Sequence, residues 1–329
     1  MTRRTATLDD ATDGNRGAAN PTTSPLRSEA HATHPPRAGK GGTGLDRRWW
    51  PFMLPAFVLV VAFFIIPFAL NVRFAFTDWS GYSDLISFNG LKNYKNLADQ
   101  DVLWNAIEAT LVYAVTAMIV QNVFSLSAAL VLQKTNRVNG FFRSFFFIPV
   151  LIAPVAAGYI WSAILAPAGP LNSVISLFSP GFSYAWLGHS TSALVSVAFI
   201  DAWKWSGLIT LVYIAGLNNI PHSLTEAALI DGANAWQRFW KIRFPLLAPA
   251  FTFTVVVTLL GAISAFDIVM ATTRGGPGTA TTVLNVAMFN QYASGFFGSA
   301  SSLSLVVTLL VLLIGVPLIA FLRRREIEA

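Results

Sequence analysis

Residues 303–322 read LSLVVTLLVLLIGVPLIAFL and are followed at once by Arg323, Arg324 and Arg325. The stretch contains no charged residue. An α-helix of about 20 residues is about 30 Å long, which is the thickness of the hydrocarbon core of a bilayer. Residues 303–322 are therefore predicted to cross a membrane as a helix.

Five further apolar runs precede this one. The six predicted spans are 51–76, 107–132, 142–166, 191–217, 247–271 and 303–322. Backbone groups in lipid must bond within their own segment, so the spans are predicted to be helices rather than strands. Of the 329 residues, 54% are hydrophobic and 12% are charged, whereas a soluble domain carries about 25% charged residues. The chain is predicted to be an all-α membrane protein with six transmembrane helices.

Prolines lie inside two of these runs. Pro55 and Pro67 in the first run, and Pro149 and Pro154 in the third, each remove a backbone donor. We therefore expect kinks there, tolerated where neighbouring helices cover the freed carbonyl groups.

The basic residues predict the orientation. Segment 166–190 has no Lys or Arg and 272–302 has only Arg274, whereas the alternate loops are basic. The basic loop residues are Lys134, Arg137, Arg143, Arg238, Lys241 and Arg243. This alternation places both termini in the cytoplasm and accounts for the net charge of +6 without a nucleic-acid partner. Residues 1–47 are polar and are predicted to be a disordered cytoplasmic tail, with residues 48–329 forming the transmembrane domain.

The cytoplasmic loop of about 218–246 contains the segment PHSLTEAALIDGA at 221–233. Ser223 is predicted to be a helix N-cap, and Glu226, three residues later, to complete a capping box. Gly232 is a predicted stop. The pattern indicates a short helix in water beside the membrane, which is either a structural elbow or a docking site for another protein.

The end of the loop combines aromatic and basic residues. Trp236, Phe239 and Trp240 recur with helical spacing among Arg238 and Lys241. Such a segment suits the headgroup region of a membrane.

This loop resembles the "EAA" loop of type I ABC importer permeases, most closely those of the carbohydrate branch, the maltose and glycerol-phosphate kind. The matching residues are Glu226, Ala227, Ala228, Asp231, Gly232, Ala233, Phe239, Ile242, Pro245, Leu247 and Pro249. Three further stretches agree: PFALNVRFAFTDW at 67–79, FNGLKNY at 88–94 and RGGPG at 274–278. The resemblance covers about residues 51–322 and implies the type I permease fold.

The resemblance also implies a function. The chain would be a permease subunit of the bacterial inner membrane that moves a sugar or oligosaccharide by alternating access. Its partners would be a second permease, two ATPase subunits that bind ATP and Mg²⁺, and an external solute-binding protein. The residues implied to couple to the ATPase are Glu226, Ala227, Ala228, Asp231, Gly232, Ala233 and Pro245. Whether Glu226 forms an ion pair with the ATPase or only caps its helix stays open.

Polar and aromatic residues at bilayer depth are candidates for the cargo pathway, because such residues are costly in lipid. They are Gln121, Asn122, Trp203, Trp205, Ser264 and Asp267. The alternative is that they join helices to one another. The turn formed by Gly275, Gly276, Pro277 and Gly278 is a candidate contact for the solute-binding protein.

Other function classes fit less well. We find no phosphate-binding loop, no HExxH motif and no nucleophile elbow, and cysteine is absent, so we predict no enzyme activity, cofactor or metal site in this chain. The alternatives are a self-contained secondary transporter, which would leave the cytoplasmic helix unexplained, and an ABC permease for a non-sugar solute.

Overall fold

The structure, a computed structural model, describes residues 50–324, and the predicted tail 1–47 and Arg325 lie outside this range. Within the range the chain is helical, and only two isolated bridges, Thr77–Phe88 and Ser80–Ser83, have β geometry. The helices are α1 (Trp50–Val60), α2 (Ile66–Phe74), α3 (Lys92–Asp99), α4 (Val102–Leu132), α5 (Arg137–Leu151), α6 (Pro154–Ile164), α7 (Pro170–Ser176), α8 (Ser190–Asn218), α9 (His222–Ile230), α10 (Ala235–Arg238), α11 (Phe244–Leu246), α12 (Ala248–Ile263), α13 (Asp267–Thr272), α14 (Leu284–Ala293) and α15 (Phe297–Arg323).

Four helical segments of the described chain are long and apolar enough to cross a bilayer. They are Met53–Phe74, Val102–Leu132, Ser190–Asn218 and Phe297–Arg323. Two bent helix pairs, α5 with α6 and α10–α11 with α12, bring the number to six if each pair is one span. The prediction of an all-helical membrane fold is confirmed.

The third predicted run, 142–166, is a broken span. Helices α5 and α6 meet at an angle of 101°. Ala153 has a ψ of 138° and Pro154 begins α6, as expected because a proline disfavours helical geometry in the residue before it. The kink predicted from Pro154 is thus a full break between two half-helices.

The fifth run, 247–271, was predicted as one helix, and this prediction is wrong at the C-terminal end of the run. Helix α12 ends at Ile263 and α13 begins at Asp267. Between them Phe266 leaves the helical region with a φ of −147°, and its ring lies 5.4 Å from that of Phe289. This contact joins residues far apart in the chain, so local sequence does not predict the break.

Two five-residue π-helical segments, Val61–Ile65 and Phe239–Arg243, each end two residues before a proline. Pro67 and Pro245 lack the N–H that would continue the α-helical pattern, and their rings crowd the preceding turn. The N–H groups of Ile66 and Phe244 bond five residues back, to Val61 and Phe239. The wider turn accommodates the proline without ending the helix.

The core lies where α4, α8 and α12 pack together, with α5 against α8. Gly207 of α8 makes the closest approach to α5: a Cβ there would overlap the carbonyl oxygen of Phe146 and lie 2.9 Å from its carbonyl carbon. Only glycine fits this crossing without a backbone shift.

Candidate functional site

A cavity of about 340 Å³ lies among α4, α8, α12 and α13. It brings together four of the six residues predicted for the cargo pathway: Gln121, Trp205, Ser264 and Asp267. Ser264 is the C-cap of α12 and Asp267 is the first residue of α13. The break in the fifth run therefore supplies two polar side chains to the wall.

Gln121 and Trp205 give the cavity wall a polar and an aromatic surface. Gln121 is 5% exposed, and its side-chain amide makes no hydrogen bond to the described residues. Trp205 is 37% exposed. The cavity wall thus offers an unused amide and an accessible aromatic ring.

Asp201 also lines this cavity and is not among the residues predicted from the sequence. A signal was available, since an acidic residue within the apolar run 191–217 is a functional candidate by default. Three residues later, Lys204 is 1% exposed. Its Nζ lies 3.9 Å from the centroid of the Trp205 ring and donates a hydrogen bond to the Val150 carbonyl oxygen, 3.3 Å away.

The lysine therefore does not line the cavity. Val150 is in the last turn of α5, next to the break. A cation suits the partial negative charge of a helix C-terminus. Lys204 thus stabilises the broken end of α5, and Asp201 contributes to the cavity wall.

The structure places Asn122 away from the cavity wall. Its Nδ2 donates to Thr258 Oγ1 at 2.9 Å, and its Oδ1 accepts from Tyr213 Oη at 2.6 Å. Thr254 Oγ1 in turn donates to Tyr213 Oη at 2.7 Å. This buried cluster, which we call the polar clamp (Asn122, Tyr213, Thr254 and Thr258), joins α4, α8 and α12.

Trp203 also lies outside the lining of this cavity. Its ring contacts that of Trp161 edge to face, with the centroids 5.3 Å apart. Since Trp161 belongs to α6, Trp203 packs α8 against the second half of the broken span.

The predicted capping box at Ser223 and Glu226 is wrong. Helix α9 begins at His222, its N-cap is Pro221, and no side chain caps it. Ser223 therefore lies inside the first turn, and Glu226 is too far along the helix to reach the N-cap. The Glu226 carboxylate is exposed and has no partner within residues 50–324.

The C-terminus of α9 has the stop that the sequence predicts. Gly232 has a φ of +77°. The Gly232 N–H donates to the Leu229 carbonyl oxygen at 3.1 Å, and the Ala233 N–H donates to the Ala228 carbonyl oxygen at 2.9 Å. These two bonds form a Schellman motif, which satisfies the carbonyl groups at the helix end.

The apolar side chains of α9 are mostly uncovered. Ala228 is 9% exposed, whereas Leu229 is 53% and Ile230 is 88% exposed. Ala227 is also exposed. The carbonyl groups at the C-terminal end of α9 are therefore bonded, whereas its apolar side chains are left largely unpacked.

A capping box does occur after α9, at Asn234. Asn234 Oδ1 accepts from the N–H of Gln237, and Gln237 Oε1 accepts from the N–H of Asn234, both at 2.9 Å. The Asn-x-x-Gln spacing could have predicted it. Arg238 donates to the Ala233 carbonyl oxygen at 2.6 Å, so the end of α9 is fixed to the segment leading through Pro245 into α12.

The RGGPG stretch forms a tight turn after α13, as predicted. Gly275 and Gly278 have φ values of +94° and +59°. Thr281 Oγ1 donates to the Gly276 carbonyl oxygen at 2.8 Å, and Thr282 Oγ1 to that of Gly275 at 3.0 Å. Two threonine side chains from the segment just before α14 thus stabilise the turn.

Comparison with known proteins gives a consistent result. The profile of the family described as "Binding-protein-dependent transport system inner membrane component" matches residues 121–325. A relative from Thermoanaerobacterium thermosulfurigenes, "Probable starch degradation products transport system permease protein AmyD", is 30% identical over 85% of this chain and 95% of its own length. The trehalose/maltose transport system permease protein MalF of Thermococcus litoralis is 30% identical over 79% of this chain and 88% of its own.

A solved structure has the same fold. A chain of a bacterial ABC transporter involved in the import of the acidic polysaccharide alginate aligns with a TM-score of 0.72. The alignment covers 84% of this chain and 96% of that chain at 19% identity. At this identity the likeness establishes the architecture alone.

Proposed function

Because this chain belongs to the family of binding-protein-dependent transport system inner membrane components, we propose that it is the permease subunit of an ATP-driven importer for a sugar or oligosaccharide. The cargo class is supported by relatives named for starch degradation products, multiple sugars, and trehalose and maltose. ATP and Mg²⁺ bind to a partner ATPase rather than to this chain. Both termini face the cytoplasm.

The observation that carries the proposal is the exposed face of α9. Burying an apolar side chain such as leucine or isoleucine stabilises by about 1.5–3 kcal/mol, and this chain leaves Leu229 and Ile230 in the open. A helix that is fixed at its C-terminus but unpacked on one face suits docking into a cleft of another subunit.

The proposed contact with the ATPase consists of the residues that resemble the EAA motif. Ala227 and Gly232 are small and permit close approach. Glu226 pairs with a basic residue of the ATPase, since its carboxylate is free of the cap that would compete for it. The remaining proposed contributors are Ala228, Asp231, Ala233 and Pro245.

Motion at α9 has two covalent routes into the membrane. One leads back through residues 219–221 to α8, and the other leads through Arg238 and Pro245 to α12. Both helices line the cavity, so closure of the ATPase subunits changes the separation of its walls. A second permease completes the translocation pathway, and the loaded binding protein docks on the opposite side, against Gly275, Gly276, Pro277 and Gly278.

Cargo passes through the cavity lined by Gln121, Trp205, Ser264, Asp267 and Asp201. Hydrogen-bonding groups and an aromatic face together suit a sugar ring. Asn122 and Trp203 act behind this wall, where they hold α4, α8 and α6 in place.

Co-purification tests the function. The full chain is isolated from native membranes in mild detergent, and accompanying proteins are identified by mass spectrometry. We expect a second permease, an ATPase with a phosphate-binding loop and a solute-binding protein. Isolation of the chain alone, together with uptake into vesicles without ATP, would replace this proposal by a secondary transporter.

The substitution Glu226→Gln tests the charge role within the assembled transporter. Because no cap depends on this side chain, the change removes a charge and leaves the fold intact. We expect weaker association with the ATPase and slower ATP-driven uptake. Unchanged uptake would show that the carboxylate charge has no part in coupling.

A further inference from the structure

A second polar cavity, of about 320 Å³, opens at the loop-bearing end of α4 and α8, and we call it the basic cavity. Its polar and charged lining residues are Gln133, Lys134, Thr135, Asn218, His222, Thr225 and Arg243. The floor is apolar, formed by Leu217 and Ile220, which are 6% and 8% exposed. It shares no lining residue with the cavity that contains Gln121 and Trp205.

The basic cavity carries uncompensated positive charge. Lys134 and Arg243 contribute two cations, and no carboxylate lines the space. Neither side chain has a hydrogen bond or an ion pair within the described part of the chain. Thr135, Thr225 and Asn218 add neutral hydrogen-bond donors around the two charges.

These cations are not needed to neutralise the end of α4. That role belongs to Arg143, whose guanidinium donates to the carbonyl oxygens of Leu132 at 2.6 Å and Gln133 at 3.0 Å. A cation at this position suits the helix C-terminus. Lys134 and Arg243 therefore remain available for an external anion.

The surroundings indicate which anion. The aromatic-basic segment with Trp236 and Trp240 is on the same loop, and tryptophan rings with basic residues mark the headgroup level of a membrane. An apolar groove of about 440 Å³ runs along α4 and α5 from Leu132 to Phe124. Val131 in this groove is 73% exposed.

We propose that the basic cavity binds the phosphate of an anionic phospholipid headgroup, with an acyl chain along the neighbouring apolar groove. Basic pockets between helices on the cytoplasmic side of a membrane suit such headgroups. Lys134 and Arg243 supply the ionic contacts, and the threonines and Asn218 donate to phosphate or glycerol oxygens. His222 and Thr225 belong to α9, so the bound lipid contacts the short helix directly.

Native mass spectrometry of the purified full chain tests this binding without any assumption about its cargo. The delipidated protein is titrated with dioleoyl phosphatidylglycerol and, separately, with dioleoyl phosphatidylcholine. We expect tight retention of phosphatidylglycerol only. The double variant Lys134→Gln/Arg243→Gln should bind it about tenfold more weakly, because each basic residue near an anionic headgroup contributes to the attraction.

A charge-matched control is Arg137→Gln/Arg324→Gln, which removes two exposed cations that lie outside the cavity. It should retain phosphatidylglycerol like the wild type. If the double cavity variant does not fold, Lys134→Gln alone serves, because its side chain is exposed and without partners in residues 50–324.

Three results would overturn the proposal. Equal retention of the two lipids would show that the negative charge of the headgroup does not contribute to binding. Displacement of phosphatidylglycerol by millimolar inorganic phosphate would make a small anion the occupant. Loss of a co-purifying subunit from the cavity variant, with lipid binding unchanged, would assign the cavity to an acidic protein surface.

Discussion

The polar clamp and α9 differ in which of their groups are satisfied within the chain: the clamp buries bonded polar groups, whereas α9 exposes apolar side chains. In the clamp, Asn122 and Tyr213 are buried and bonded to each other at 2.6 Å, so the chain itself satisfies them. In α9, the Gly232 stop satisfies the carbonyl groups of the last turn, but Leu229 and Ile230 stay exposed. The first region is complete within one chain, and the second leaves apolar side chains exposed for the partner that we propose.

This difference predicts how substitutions divide. Changes around the clamp and its helix crossings should alter the free energy of unfolding. Changes on the exposed face of α9 should leave stability alone and alter coupling to another subunit. Four substitutions test this division.

Gly207→Ala should have the largest effect. The new Cβ would overlap the Phe146 carbonyl oxygen, and forcing α5 and α8 apart costs about 2–3 kcal/mol by analogy with overpacked cores. Thermal unfolding in detergent measures the loss. Gly140→Ala in α5 is the matched control, because a Cβ there meets no atom within 4 Å and alanine favours a helix by about 1 kcal/mol over glycine. Equal melting temperatures for the two variants would contradict the tight crossing.

Tyr213→Phe should have the next largest effect on stability. It removes the hydroxyl that donates to Asn122 and accepts from Thr254. Leaving these groups unpaired costs about 1–2 kcal/mol. Tyr159→Phe, at a position that is 59% exposed, should cost nothing measurable. A double-mutant cycle of Tyr213→Phe with Thr254→Val should be non-additive, and additive losses would mean that the clamp is not one unit.

The sequence alone predicts some features of this molecule and not others. The apolar runs and the basic loops depend on local composition, so the helical membrane fold and its four unbroken spans were predictable. The break at Phe266 and the clamp around Asn122 depend on contacts between distant segments. A buried asparagine in a helix has the same local pattern whether it lines a cavity or joins helices, and only the structure separates the two.

Other differences came from patterns that were present in the sequence. Asn234 and Gln237 have the capping-box spacing, and so do Ser223 and Glu226, but only the first pair forms the box. Pro221 takes the N-cap position of α9, which places Ser223 inside the helix. Pro221 and Ser223 are both possible starts for α9, and the spacing to Glu226 does not show which of them is the N-cap.

Ala227→Trp tests the exposed region. The side chain points into solvent, so the melting temperature of the isolated chain should not change. In the assembled transporter the bulky ring blocks the proposed close approach, and ATP-driven uptake should fall at least about tenfold, equivalent to about 1.4 kcal/mol. Val138→Trp, an exposed site outside α9, should leave uptake unchanged. Full uptake by Ala227→Trp would contradict docking through this face.

Gly232→Ala should have the smallest effect and refines the comparison, because it strains the end of α9 and adds only one methyl group to the proposed ATPase contact. Its φ of +77° is unfavourable for alanine, at a cost of about 1 kcal/mol. No atom of the described chain lies within 4 Å of the new Cβ, so backbone strain is the whole effect on the isolated chain. Gly232→Asn should be milder, since asparagine tolerates left-handed geometry. Amide hydrogen exchange at Ala233 measures the loosened stop, and uptake by the assembled transporter measures its consequence. If exchange quickens while uptake stays constant, the stop is structural, and α9 transmits force without being held rigid at its C-terminus.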